Sequence, residues 1–148
     1  MGQYKELPSN NREILKKAAE RIYNKWDEYL SKNDVESMMT LYCPDATIES
    51  PLIPHLMETD SGVCHGLKEI RRFYELIAKR KPSVRKYYRT GYFTDGQTLM
   101  WEYPRNSPKG EQMDFVEIME LKGELIHSHR VYWGWLGFKI LINDQYHR

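Results

Sequence analysis

Residues 111–133, EQMDFVEIMELKGELIHSHRVYW, read as a long β-hairpin. Side chains on a strand alternate faces with period two. Met113, Phe115, Glu117, Met119 and Leu121 therefore share one face of the first strand, and Leu125, His127, His129, Val131 and Trp133 share one face of the return strand. A tight turn at Lys122-Gly123-Glu124 sets Leu121 opposite Leu125, and so Glu117 opposite His129. A carboxylate and an imidazole then meet on an apolar, aromatic surface, where ionisable groups are costly unless paired or used. The pattern points to a pocket.

Working back along the chain, Thr94-Asp95-Gly96-Gln97 is a hairpin turn between strands expected at Arg85–Phe93 and Thr98–Tyr103. The N-terminal part is helical. Ile14, Ala18, Ile22, Trp26 and Tyr29 or Leu30 recur at helical spacing, which predicts one long helix from a cap near Ser9 or Asn10 to about Ser31. Asn33-Asp34 breaks and recaps, and a short helix carries Val35, Met38, Met39, Leu41 and Tyr42. A strand is expected from Ala46 to Ser50, then a loop from Leu52 to Val63. A third helix opens at Gly66, buries Ile70, Phe73, Tyr74 and Ile77, and ends before Pro82. From Val84 onward the reading is all strand. Helices first and a meander of strands last imply an α+β fold with helices on one sheet face.

At 148 residues the chain, 1–148, reads as a single domain with a real core. Its formal charge of +1, with both signs mixed, offers no nucleic-acid footprint and no polybasic membrane surface. The basic run Lys79-Arg80-Lys81 reads as a solvated helix end, where cations suit the macrodipole. No apolar run approaches the roughly 20 residues of a membrane span, and the polar N-terminus lacks a signal-peptide core. Cys43 and Cys64 have no partner motif, which suggests buried thiols in a reducing, cytoplasmic setting. Aromatic content of 13% suits a curved sheet around a cavity, as well as ordinary core packing.

The element order, with LYCPDATIESP at residues 41–51 and GLKEI at 66–70 in the third helix, resembles the SnoaL-like branch of the nuclear transport factor 2 and ketosteroid isomerase superfamily. The likeness runs from about Ile14 to Trp133. It implies a cone-shaped α+β barrel: a long N-terminal helix and two shorter ones packed on a strongly curved, mainly antiparallel sheet, enclosing a deep apolar pocket. It also implies a homodimer through the outer sheet face. Ketosteroid isomerases place a catalytic Asp before the proline that ends the first strand, and Ser50 stands there in this chain. Their hydrogen-bonding Tyr on the first helix falls at Trp26, whose indole donates but lacks a phenol's acidity. Their second pocket acid aligns with Glu117. The family's steroid isomerisation is therefore not expected. Dehydratase relatives use a histidine with a carboxylate, and Glu117 with His129 resembles that arrangement.

For Glu117 and His129 the functional reading is an acid–base dyad, in which the carboxylate orients the imidazole and the imidazole moves a proton on a carbonyl compound. The bland reading is a satisfied buried hydrogen bond, or a hairpin turned outward. Trp26, Trp101, Tyr103, Met113, Phe115, Val131 and Trp133 are the expected apolar walls, with Ser50 and His127 at the pocket's edge; packing is the default for the aromatic ones. His127, His129 and Glu117 form a two-histidine, one-carboxylate set, but H-x-H arises easily by chance, and neither metal nor cofactor is expected. Arg89 or Tyr87 lines the pocket or is solvated. His55, His65 and His147 belong to no constellation.

The other face of the hairpin carries Asp114, Val116, Ile118, Glu120, Ser128, Arg130 and Tyr132, joined by Met100 and Glu102. That mixture fits a two-fold interface, or a surface closed by residues 134–148. The expectation is a homodimer whose pocket takes a small hydrophobic or polycyclic carbonyl-type ligand. It acts as a lyase, isomerase or cyclase with His129 as base; the alternatives are a non-catalytic binding protein and a protein–protein interaction domain.

Overall fold

A computed structural model of the protein describes residues 9–80, 88–107 and 109–143. The chain runs α1 (Ser9–Ser31), α2 (Val35–Met39), β1 (Tyr42–Glu49), α3 (Leu52–Met57), β2 (Val63–His65), α4 (Gly66–Ala78), β3 (Phe93–Thr94), β4 (Thr98–Asn106), β5 (Gln112–Lys122), β6 (Leu125–Trp133) and α5 (Trp135–Ile142). The strands form one curved, unclosed sheet in the order β2-β1-β6-β5-β4-β3. Every pairing is antiparallel except β1 with β6, which is parallel. This is the cone-like α+β architecture expected, with the sheet open rather than closed into a barrel.

Ala18, Ala19, Ile22, Trp26 and Leu30 of α1 face the concave side of the sheet, while Ile14, expected on that stripe, is more than half exposed. Asp34 restarts the helix by accepting a 3.1 Å hydrogen bond from the Ser37 amide. Ile70, Phe73, Tyr74 and Ile77 of α4 bury the face predicted for them. The core lies between these helices and the inner row of Leu99, Trp101, Tyr103, Met113, Phe115, Met119 and Ile126.

The structure departs from the sequence reading at several elements. The first strand starts at Tyr42 rather than Ala46, because a register irregularity between Tyr42 and Thr47 carries Pro44, which has no amide hydrogen to give a ladder. The stretch expected as a loop contains α3: Pro54 sits in its first turn, where a missing amide costs nothing, and Ser50 Oγ accepts from the Leu52 amide at 3.2 Å. Residues 88–92 are not strand, and the third strand shrinks to Phe93–Thr94; the rest of that expected strand, with Tyr87, lies outside the described residues, as do Pro82 and His147.

After β6 the described residues form a helix, not a strand. α5 turns back at Gly134, whose amide donates to Asp114 O at 2.7 Å. It packs through Gly137, where an added Cβ would stand 3.3 Å from the Trp133 ring and 3.5 Å from Met113 Cβ.

The β5–β6 hairpin is where register matters most. Its turn has two residues, Gly123-Glu124, with Gly123 at φ 62°, so Lys122 pairs with Leu125 and Leu121 with Ile126. A bulge follows, and Glu120 pairs with Ser128. Two one-residue shifts add to an even number. His129, Val131 and Trp133 therefore keep the inward face, while near the turn Ile126 takes the inside position and His127 becomes the extra residue.

Candidate functional site

Glu117 and His129 do meet, but diagonally. Glu117 pairs with Val131 and His129 with Met119, yet His129 Nε2 lies 3.3 Å from Glu117 Oε2. Both residues are almost wholly buried, at 3% and 2% exposure. The contact belongs to a longer chain. Tyr103 donates to Glu117 Oε1 at 3.3 Å, His129 Nδ1 lies 2.8 Å from the Tyr42 hydroxyl, and that hydroxyl lies 2.6 Å from the hydroxyl of Tyr74. Four strands and one helix supply it: β4, β5 and β6 run side by side, β1 adds Tyr42 through its parallel pairing with β6, and α4 brings Tyr74 across from the opposite layer.

The donor inventory closes when His129 is neutral with hydrogen on Nε2. Nε2 then donates to Glu117, Tyr42 donates to Nδ1, and Tyr74 donates to Tyr42. A proton added to the imidazole at Nδ1 reverses the direction of both tyrosine hydrogen bonds. Burial, reinforced by Tyr74 beside it, pushes the Tyr42 phenol well above its ordinary range. Tyr42 thus works as a neutral hydroxyl that both gives and receives.

The chain borders a cavity of about 60 Å³. Of the residues expected around a pocket, Trp26, Ser50, Tyr103, Phe115, Glu117, His129, Val131 and Trp133 are on its wall. Three are not. Trp101 is buried one layer away, edge-on to Trp26 with ring centroids 5.2 Å apart. Met113 lies beneath α5 at Gly137. His127 is thrown out by the bulge to Asp45, at 3.5 Å, so the two-histidine, one-carboxylate set is not assembled. Among the described residues no group of three or more His, Cys, Asp or Glu is placed to hold a metal ion. No helix of the described residues is long and apolar enough to cross a membrane.

Other members of the wall, and Tyr42 behind it, were not legible as such. Tyr74 reads as core stripe in the sequence, and Tyr42 as part of a short helix; only the parallel β1–β6 pairing puts them beside His129. Arg80, read as a solvated helix end, is 6% exposed and lines the cavity with Arg105. Arg105 shares its strand face with Tyr103 by period two, which is the one signal that could have found it. Arg89 neither lines the cavity nor is solvated: it donates to Tyr23 O at 2.6 Å, pairs with Asp27 at 3.4 Å and lies over the Tyr23 ring.

The fold defines a class, the open α+β cone, and here its centre holds a buried hydrogen-bonded chain. Solved structures with that fold resemble the chain closely in shape and little in sequence. A SnoaL-like protein of unknown function from Burkholderia thailandensis matches with a TM-score of 0.69 at 12% identity, covering 82% of this chain and 98% of that one. An NTF2-like protein from Anabaena variabilis matches with a TM-score of 0.67 at 14% identity, over 89% and 96% of the two chains. A steroid delta-isomerase from Pseudomonas aeruginosa matches with a TM-score of 0.64 at 13% identity, over 86% and 88%. The fold is thus that of the SnoaL-like, nuclear transport factor 2-like and ketosteroid isomerase-like proteins. No family model matches the chain, and no curated protein does.

Proposed function

We propose that the protein binds a small carbonyl compound in the cone cavity and catalyses cofactor-free proton transfer on it, as a lyase, isomerase or cyclase. The carrying observation is the continuous buried chain Tyr103–Glu117–His129–Tyr42–Tyr74, whose members other than Tyr42 line the cavity. Five polar side chains in one unbroken line amid apolar packing are expensive to assemble for stability alone.

Roles differ from the sequence expectation. Both nitrogens of His129 are already in hydrogen bonds, whereas Glu117 is held by two long 3.3 Å contacts and is the group whose oxygens have room for a substrate proton. In this reading a C–H proton beside the carbonyl passes to Glu117, the Tyr103 hydroxyl turns its one proton from the neutralised carboxyl to the enolate oxygen, and His129 holds the Glu117 side chain in place. The proton returns to the product from Glu117. Ser50 supports the absence of the isomerase's own base, and its hydroxyl already serves the start of α3.

Size narrows the ligand. A cavity of about 60 Å³ is well below the ~300–1,000 Å³ of pockets that take drug-sized molecules. A polycyclic ligand would need the aromatic walls to move, whereas a compound of a few heavy atoms needs little.

The test is exchange of α-protons in small ketones and keto acids for deuterium in heavy water, followed by NMR. Glu117→Gln is expected to slow exchange at least about 100-fold, with His129→Ala slowing it less and ligand affinity nearly intact in both. Absence of exchange above buffer across the panel would remove the catalytic reading. A second reading, non-catalytic binding, is favoured by the double engagement of His129, and it predicts affinity without exchange.

The same reading makes the protein a homodimer. Met100, Val116, Ile118 and Tyr132 are half-buried or exposed on the outer sheet face beside the Arg130–Glu120 pair, which supports a two-fold contact there. The unpaired, buried Cys43 and Cys64 support a reducing compartment such as the cytoplasm.

A further inference from the structure

Among the described residues, the hydroxyls on the cavity wall belong to Ser50, Tyr74 and Tyr103. Tyr103 donates its proton to Glu117, and in the donor pattern of the chain Tyr74 donates to Tyr42. Ser50 differs from both. Its oxygen accepts from the Leu52 amide at 3.2 Å, and among the described residues its own proton goes to no acceptor. A serine hydroxyl offers one donor and two lone pairs. The contact that starts α3 uses a lone pair and leaves the donor over.

That donor is not at the surface. Ser50 is 4% exposed, and a buried donor is costly to leave unused. Ser50 lies one residue beyond the Glu49–Arg130 pair, level with Val131, and Val131 pairs with Glu117. Ser50, Val131 and Glu117 therefore form one row across the sheet, and all three border the cavity. Around the hydroxyl, Ile48, Leu52 and Val131 make that part of the wall apolar.

We infer that Ser50 donates a hydrogen bond to the carbonyl oxygen of the ligand and so orients the compound with its α-carbon toward Glu117. This rests on the reading of the cavity as a ligand site, and it adds the residue that receives the ligand before any proton moves. Its division of labour with Tyr103 follows from the proton count. While Glu117 is ionised, the single proton of Tyr103 is committed to the carboxylate, and Ser50 meets the incoming carbonyl. Once Glu117 has taken a proton, Tyr103 turns to the same oxygen, whose lone pairs accommodate both donors. The site selects a ligand with an acceptor oxygen at that end.

The experiment uses two probes of one shape, acetone and isobutene, which differ in an oxygen for a methylene, and follows their binding to the whole protein by NMR. Ser50→Ala is expected to weaken acetone about fivefold, the size of one neutral hydrogen bond, and to leave isobutene unchanged. Ser50→Cys, whose thiol nearly keeps the shape but donates weakly, should show the same selective loss. Both variants weaken the contact to Leu52, so thermal midpoints are measured alongside; a purely structural role moves the two probes together. Bound to wild type, acetone should show the downfield carbonyl carbon shift of a hydrogen-bonded ketone, a readout that needs no variant. Parallel loss of both probes, loss of neither, or an unshifted carbonyl would each overturn the role of Ser50 while leaving the cavity a ligand site. If neither probe binds wild type, the ligand site itself falls and this inference with it.

Discussion

Tyr42 touches two partners through one oxygen, at 2.8 Å to His129 and 2.6 Å to Tyr74, so Tyr42→Phe deprives a buried imidazole of its hydroxyl partner. The expected loss is about 1–3 kcal/mol of stability by urea unfolding. The pH dependence carries a second signature. Burial holds the Tyr42 phenol well above its ordinary value in the folded protein, so the folded state keeps a proton that the unfolded chain releases above about pH 10. That contribution is complete below pH 10 and is lost as the pH rises from there toward the folded value. Burial likewise pushes the Cys64 thiol up to about 11, but Cys64 is common to both proteins, so the difference isolates the tyrosine. Wild type should therefore lose stability more steeply than Tyr42→Phe above pH 10, and parallel slopes would contradict the assignment. At this scale the sequence identified Glu117 and His129 by their alternation with apolar neighbours. It was silent on Tyr42 and Tyr74, since a tyrosine in a core stripe looks the same whether its hydroxyl is a bystander or a link.

Among the elements, the helices were the most legible, because α1 and α4 repeat their apolar residues at a spacing no strand shares. α3 and α5 were not. Prolines around Leu52 mask a helix whose first turn tolerates them, and α5 is apolar on most sides, so it shows little period. α5 depends on a close approach that no pattern announces. A Cβ at Gly134 would stand 3.2 Å from the carbonyl oxygen of Asp114, which is backbone and cannot step aside easily. Gly134→Ala is thus expected to cost about 1–3 kcal/mol and loosen α5 from the strand ends; thermal unfolding with amide exchange on residues 135–142 measures both. An unchanged midpoint and unchanged protection would mean that α5 is not seated by this contact. The hairpin between β5 and β6 carries the other lesson: its turn was one residue shorter than read, and a bulge added a second shift. The two shifts together restored the face of His129 while moving its partner by two residues, and they left His127 as the extra residue of the bulge.

For the whole molecule the open question is what lies against the convex face of the sheet. Met100 pairs with Ile118, and Ile118 with Arg130, so an apolar residue sits at the middle of a mixed row. If this face joins two copies, wild type sediments as a dimer and Ile118→Glu as a monomer of unchanged helix content, since one buried glutamate per copy opposes association at the two-fold contact. A wild-type monomer at micromolar concentration would refute the interface. Taken alone, the sequence determined the α+β class, the order of the main elements, and the inward face shared by Glu117, His129 and the aromatic wall. It could do so because helix and strand periods and face alternation are local properties of the chain. Only the tertiary structure decided the parallel docking of β1 on β6, the diagonal contact of Glu117 with His129, the link to Tyr74 and the burial of Arg80. Each of these depends on residues far apart in sequence whose meeting is set by register, bulges and helix packing, and no local period encodes them.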